Sequence, residues 1–339
     1  MYRQNWPRDD HLVVGDIHAL DAAELPICEL FTASFPCNDL SIAGRCEGLS
    51  GKESSAFWGL IRLLADLGDR RPPLVLLENV LGFLMSRDGR DLEQALLALN
   101  ELGYAVDAFI LNARCWVPQS RARLFVVGKR MDPTERQTVA YESDVRPLAL
   151  QQFINLHPNI RWDIRSLPRL PKRRKLLIDI IEDLADDHED WWSEDRAAYF
   201  MSQLSPKHEL LAKLMMGHRE FAYATAFRRV RKGRSMAELR TDGIAGCLRT
   251  PRGGSGRQIL FKAGKGKRQV RLLTSRECAR LQGVPDSYVI EVPLNQALFG
   301  FGDAVCVPAV EWIVKHYLTP ERQRLVSSDT LFTTVGGVH

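Results

Sequence analysis

The sequence predicts an α/β protein made of a layered sheet-and-helix domain and a second, smaller, less regular domain. Three observations carry that expectation. Short apolar runs alternate with amphipathic helical patterns from Leu12 to about Arg130, as strands covered by helices do. From Met131 the text turns to proline-rich linkers and then to glycine-rich basic loops, which read as irregular connections. Helical signals resume at Thr274.

Each element has its own warrant. Leu12 to Val14 and Leu74 to Leu77 are short apolar runs suited to buried parallel strands, and Leu30 to Thr32 is expected to be another strand. Glu53 to Leu67 carries Phe57, Leu60, Ile61 and Leu64 on one helical face, with Gly68 as the stop. Asp91 to Leu102 repeats the pattern with Leu92, Ala95, Leu96 and Leu99 before Gly103. Val106 to Leu111 and Leu124 to Val127 read as two further strands. Beyond them lie the basic cluster Lys172 to Lys175 and an acidic, helix-like stretch from Asp179 to Asp195. Thr274 and Glu277 form a capping box closed by Gly283. A last helix is expected from near Asp303 to Tyr317, with Pro308 in its early turns. The expected domains are residues 1–130 with a return at 271–325, an inserted domain at 131–270, and a tail at 326–339.

Composition narrows the class. Of 339 residues 45% are hydrophobic and 26% charged, which excludes collagen-like, mucin-like and wholly disordered chains. Apolar runs stop short of the roughly 20 residues of a bilayer span, and no secretion signal follows Met1. A cytoplasmic protein with no membrane contact is expected. The seven cysteines include no C-x-x-C pair, so neither a disulfide framework nor a metal site is indicated. Between Ala226 and Ser275 there are fourteen Lys and Arg against two acids, a net +12 in a chain whose total is +4. The rest of the chain therefore carries −8, the pattern of a local polyanion-binding face or of a solvated basic surface.

Three segments carry candidate chemistry. Cys37 follows Pro36 directly, on a loop that proline stiffens at the end of a strand, where open α/β sheets place reactive groups. Taken alone, such a cysteine is more often a core thiol. Glu78-Asn79-Val80 follows the apolar run Leu74 to Leu77, and a carboxyl there must be paired or used; a cap or an ion pair reads equally well. Gln119-Ser120-Arg121-Ala122-Arg123 places Gln119, Arg121 and Arg123 on one side by strand alternation, which suits an anionic substrate.

The order of these segments resembles the DNA cytosine-5 methyltransferases. In sequence come Gly15-Asp16-Ile17, the Pro36-Cys37 loop with Ser41, Glu78-Asn79-Val80, Leu102-Gly103-Tyr104, Gln119-x-Arg121-x-Arg123, a basic variable region, Thr274-x-Arg276-Glu277-x-Ala279-Arg280-Leu281-Gln282-Gly283, and Gly302-Asp303-Ala304-Val305. The resemblance implies a Rossmann-like S-adenosylmethionine-dependent methyltransferase sheet with a second, smaller target-recognition domain. It implies Cys37 as the nucleophile that adds to carbon 6 of cytosine, with a thiolate favoured by Arg121 and Arg123. Glu78, held protonated, would donate to ring nitrogen 3. Asp16, Ile17, Pro36, Ser55, Asp303, Ala304 and Val305 would hold S-adenosylmethionine. Arg228, Arg229, Arg231, Arg249, Thr250, Arg252, Gly253, Gly254 and Arg257 would meet double-stranded DNA, whose target base must leave the stack. The Lys262 to Arg268 cluster is expected to hold phosphates. The implied setting is a bacterial restriction-modification or epigenetic system, nucleoid-associated when bound to DNA.

The family opens with a strand, a Phe-x-Gly-x-Gly turn and a second strand ending in an acid, whereas this chain opens at Met1-Tyr2-Arg3-Gln4-Asn5-Trp6-Pro7, which resembles the segment just beyond. The sheet is thus expected to be amino-terminally incomplete and poor at holding cofactor alone, completed by upstream coding sequence or by a separate amino-terminal methyltransferase fragment, or else decayed. Asn38 and Asp303 stand where the family usually has Gln and Asn. Two other readings share these residues: a catalytically silent DNA-binding protein and an RNA cytosine methyltransferase.

Overall fold

In the computed structural model, residues 1–36, 55–130, 138–231, 233–251 and 256–324 are described. They divide into two compact units. The first comprises His11–Leu111, Ala122–Leu170 and Trp312–His339, and the second Met1–Asp10, Asn112–Arg121 and Pro171–Glu311.

The first unit is organised by a four-stranded sheet of order β1-β2-β4-β3, with β1 at Leu30–Ser34, β2 at Leu74–Val80, β3 at Tyr104–Asn112 and β4 at Ala122–Arg130. β2 is buried along nearly its whole length, as a Leu- and Val-rich central strand should be. It runs parallel to β1, with Ser34 opposite Glu78. Its other neighbour, β4, is antiparallel, so the parallel arrangement expected around Leu74 to Leu77 holds on one side only. Leu12 to Val14 is not a strand: Val13 and Val14 are 71% and 83% exposed. Three apolar residues are too few to secure a ladder, and the chain turns at once through Ile17–Ala19, capped by Asp16.

The helix Ala56–Asp66 buries Phe57, Leu60, Leu63 and Leu64, and Arg90–Glu101 buries Leu92, Ala95, Leu96 and Leu99. Both join the core of β2 to β4. Residues 138–170 belong here rather than to the inserted domain, because they add to the sheet at β3. Val106 N donates to Arg161 O at 2.9 Å and Asp163 N to Val106 O at 2.8 Å. A charged cluster the sequence did not disclose anchors the carboxyl-terminal helix. Lys129, 1% exposed, pairs with Asp163 and stands 3.8 Å from Glu321, while Arg165 meets Glu321 at 2.9 Å. Arg146 grips Asp107 through two bonds of 2.7 and 2.9 Å.

The second unit holds an antiparallel sheet of order β6-β5-β7-β8, with β5 at Ala222–Arg231, β6 at Arg234–Arg240, β7 at Ile259–Gly264 and β8 at Lys267–Leu272. This region is more regular than its basic, glycine-rich text suggests. Alternate small residues, Ala224 and Ala226 on β5 and Ala237 on β6, let Phe200 and Phe261 fill one apolar core. The acidic stretch 179–195 is mostly turns; the helix begins only at Glu194 and runs to Ser202. Dense like charge disfavours a continuous helix there. Instead its acids reach the sheet, Asp186 pairing with Lys262 at 3.1 Å and Glu194 with Arg268; outside the stretch, Glu220 stands 3.5 Å from Lys265. Three cations of the Lys262 to Arg268 cluster thus have partners within the protein.

The capping box at Thr274 forms as expected, opening the helix Ser275–Leu281. Gly283 closes it at φ +76°, a left-handed conformation, and a side chain there would strike the Pro308 ring. The final helix starts at Val307 rather than near Asp303, and passes into a π-helical turn at Val314–Leu318. Asp303 instead ends the helix Leu294–Asp303. Its Gly300 and Gly302 weaken the helical signal, but burial of Ala297, Leu298 and Phe301 forms it. The run Leu294–Arg324 has the length and hydropathy of a membrane-crossing segment, yet it is interrupted at residues 304–306. Phe301, Ile313 and Tyr317 are buried in the protein.

Candidate active site and nucleic-acid surface

Because β1 and β2 are parallel, their carboxyl ends reach the same sheet edge. Glu78 lies at that edge, 9% exposed, and its Oε1 is 2.9 Å from Arg123 Nε. Arg123 lies two positions along β4 from Phe125, the residue opposite Glu78, and is itself in register with Val80. Asn79 joins the two strand ends: its Nδ2 donates to Phe35 O at 3.2 Å, and its Oδ1 accepts from Val80 N at 2.8 Å. Phe35 is wedged against Phe57 and Phe83, with centroids 5.2 and 5.5 Å away. The exposed Pro36 then leaves the sheet. Cys37, bonded to Pro36, lies outside the described residues, as do Ser41 and Asn38.

Asp16, Ile17 and Ser55 come together around the helix Ala56–Asp66. Asp16 accepts from His18 N at 2.9 Å, Ser55 Oγ is 3.4 Å from His18 Nε2, and Arg62 donates to Leu20 O at 2.9 Å, holding the turn on the helix. Gly59 gives this turn room, since a Cβ there would lie 2.9 Å from Ile17.

Arg121 has a different surrounding from Arg123. In the second unit, 3% exposed, it donates to Leu248 O at 2.9 Å, to Gly302 O at 3.1 Å and to Ala304 O at 2.7 Å. Its Nη1 is also 3.4 Å from Cys247 Sγ. Gln119, wholly buried, bonds Leu281 O and Leu248 N at 2.8 and 3.0 Å. These side chains stitch the root of the Arg249-Thr250 segment to the turn at 302–304. Gly302 is required there: a Cβ would lie 2.5 Å from Thr250 N. Asp303 is exposed, while Ala304 and Val305 are half-buried.

Next to this turn, burial pushes the Cys306 thiol up to about 11. A thiol raised in the folded state contributes stability below the unfolded value of about 8.5 and loses it as pH rises toward 11. The unfolding free energy of the protein should therefore fall across that window by more than that of Cys306→Ala, as urea denaturation at several pH values would measure, the difference approaching about 3 kcal/mol at the upper end.

On the basic sheet, Arg228 and Arg229 lie on β5 and Arg231 at its end, in register with Arg234. Arg229 pairs with Glu238 at 3.2 Å. Arg257 donates to Asn295 Oδ1 at 2.8 Å, Arg249 is exposed and Thr250 half-buried; Arg252, Gly253 and Gly254 lie outside the described residues. The sequence reading missed Trp191 and Trp192, which lie against Lys262, Arg271, Arg196 and Arg228. Two adjacent tryptophans within the acidic stretch 179–195 were the available signal. Among the described residues, no group of three or more His, Cys, Asp or Glu is arranged to hold a metal.

The fold is that of an α/β methyltransferase, with a second, basic unit. The chain belongs to the C-5 cytosine-specific DNA methylase family, whose model matches residues 1–318. It is 27% identical over 306 residues to the type II methyltransferase M.DsaV of Dactylococcopsis salina, covering 90% of this chain and 73% of that protein. It is 28% identical over 304 residues to M.HhaI of Haemophilus parahaemolyticus, covering 88% and 78%. Among solved structures, Dnmt2 of S. pombe shares the fold with a TM-score of 0.58 at 18% identity, covering 94% of this chain and 86% of that one. EhMeth of Entamoeba histolytica does so at 0.55 and 12%, covering 93% and 84%. The enzyme is thus a DNA cytosine-5 methyltransferase, and its methyl donor is S-adenosylmethionine.

Proposed function

We propose that this enzyme methylates a cytosine flipped out of duplex DNA through a covalent adduct on Cys37, in a bacterial cytoplasm, for restriction-modification or epigenetic marking. The observation that carries this reading is the Glu78–Arg123 pair at the edge where Asn79 ties down Phe35, immediately before Pro36 and Cys37. The Cys37 thiolate adds to carbon 6, and the ring electrons move toward carbon 5 while Glu78 supplies a proton at nitrogen 3. Arg123 is the partner of Glu78; with cytosine bound, the carboxyl turns part of its bonding to the base. S-adenosylmethionine, when bound, supplies the electrophilic methyl group. Carbon 5 then loses its proton to a base or water, and the carbon–sulfur bond breaks to release Cys37.

The donor set suits the adenosine part of that cofactor. Asp16 offers an exposed carboxylate, Ile17 an apolar side chain and Ser55 a hydroxyl, all held by one helix. Pro36, Asp303, Ala304 and Val305 are the other residues proposed to bind the cofactor. Arg228, Arg229, Arg231, Arg249, Thr250, Arg252, Gly253, Gly254 and Arg257 are proposed to face DNA, the glycines admitting close backbone approach.

Transfer of labelled methyl to duplex DNA tests the reading. It should be abolished by Cys37→Ala, and a fluorocytosine duplex should become trapped on the intact protein but not on that variant. The assay should be run on this chain, on the chain extended upstream in frame, and with an added amino-terminal fragment. DNA binding without transfer in all three would favour the silent DNA-binding protein, and a preference for RNA acceptors would favour the RNA enzyme.

A further inference from the structure

The acidic segments neutralise much of the basic sheet, but Arg196 and Arg228 stand outside that pairing. The guanidinium of Arg196 lies 4.3 Å from the centroid of Trp192, and that of Arg228 lies 5.3 Å from the same ring. Among the described residues no carboxylate pairs with either one. The nearby acids point elsewhere, Glu194 to Arg268 and Glu238 to Arg229. Arg228 Nε is buried without a hydrogen-bond acceptor, and burial, then Arg196, draws the Arg228 guanidinium down from its ordinary value. The indole face attracts each cation, but it does nothing to relieve their mutual repulsion. The platform itself is firmly seated: Trp192 N donates to Val270 O at 2.9 Å, and its ring packs edge-on against Phe200 at 6.1 Å.

We propose that Trp192, Arg196 and Arg228 form a phosphate clamp that takes one backbone phosphate of the DNA. A phosphodiester supplies the missing countercharge and the acceptor that Arg228 Nε lacks, and guanidinium donors suit phosphate oxygens well. Such a contact adds affinity without reading sequence. The inference rests on the DNA-methyltransferase reading and extends it to residues outside the family motifs.

The test is duplex binding by the full chain, followed by anisotropy from about 50 to 200 mM salt. Arg196→Gln should flatten the slope of log affinity against log salt by about 0.9, weakening all duplexes alike. Arg228→Gln should do the same, and Arg196→Lys should keep the slope. Unchanged slopes in both glutamine variants, with wild-type melting curves, overturn the clamp. Inorganic phosphate titrated against Trp fluorescence separates the sources: saturable binding lost in Arg196→Gln beside an unchanged DNA slope would assign the pair to a free anion and overturn the DNA contact. If the wild-type chain binds no duplex, the methyltransferase reading falls as well.

Discussion

Replacing Glu78 by glutamine is expected to lower methyl transfer by about a hundredfold to ten-thousandfold, the usual contribution of a positioned acid or base. Glutamine keeps the size and one acceptor for Arg123, so the sheet edge should survive. What it loses is the exchangeable carboxyl proton. Glu78 is buried at the end of the central strand, 2.9 Å from Arg123 Nε, and Asn79 beside it holds the segment leading into Cys37. Single-turnover kinetics with saturating DNA should show the loss in the chemical step, with duplex affinity nearly unchanged. A fall in affinity alone, with an unaltered chemical step, would remove Glu78 from the reaction and leave it as a strand-end ion pair.

The largest expected stability effect lies in the second unit. Arg271 and Glu277 are both 0% exposed and form a two-pronged pair at 2.7 and 2.5 Å. The Glu277 carboxylate also accepts from Thr274 N and Glu182 N, each at 2.9 Å. It therefore closes the capping box and receives the acidic segment at once. Glu277→Gln removes the countercharge and leaves a buried guanidinium, so a loss of about 3–5 kcal/mol is expected. The double change Arg271→Met with Glu277→Leu should cost less than the single one, because no orphan charge remains. Urea denaturation of the three proteins measures this, and equal losses in single and double variants would mean that the pair matters only through packing.

The two cases divide cleanly between local and distant causes. Thr274 and Glu277 are three residues apart, so a capping box was readable without any fold, as were the helical stripes of 56–66 and 90–101 and the strand ending in Glu78. Arg271 read only as one more cation of a basic window. Its burial depends on Glu277 and on Trp191, whose position follows from how the chain returns across the sheet.

The residue order alone determined the family and the alternation of strands and helices from Leu30 to Arg130, and the proposed roles of Glu78, the arginines and the Pro36-Cys37 step rest on it, because each of these is carried by neighbours a few positions apart. Tertiary structure alone decided which charges remain for a partner. Lys262 and Arg268 are met by acids 76 and 74 positions away, Arg121 turns to carbonyls more than 120 positions away, and Arg196 and Arg228 share one indole without a carboxylate partner among the described residues. Charge pairing depends on distances of a few ångströms, and distances between remote residues exist only once the chain has folded.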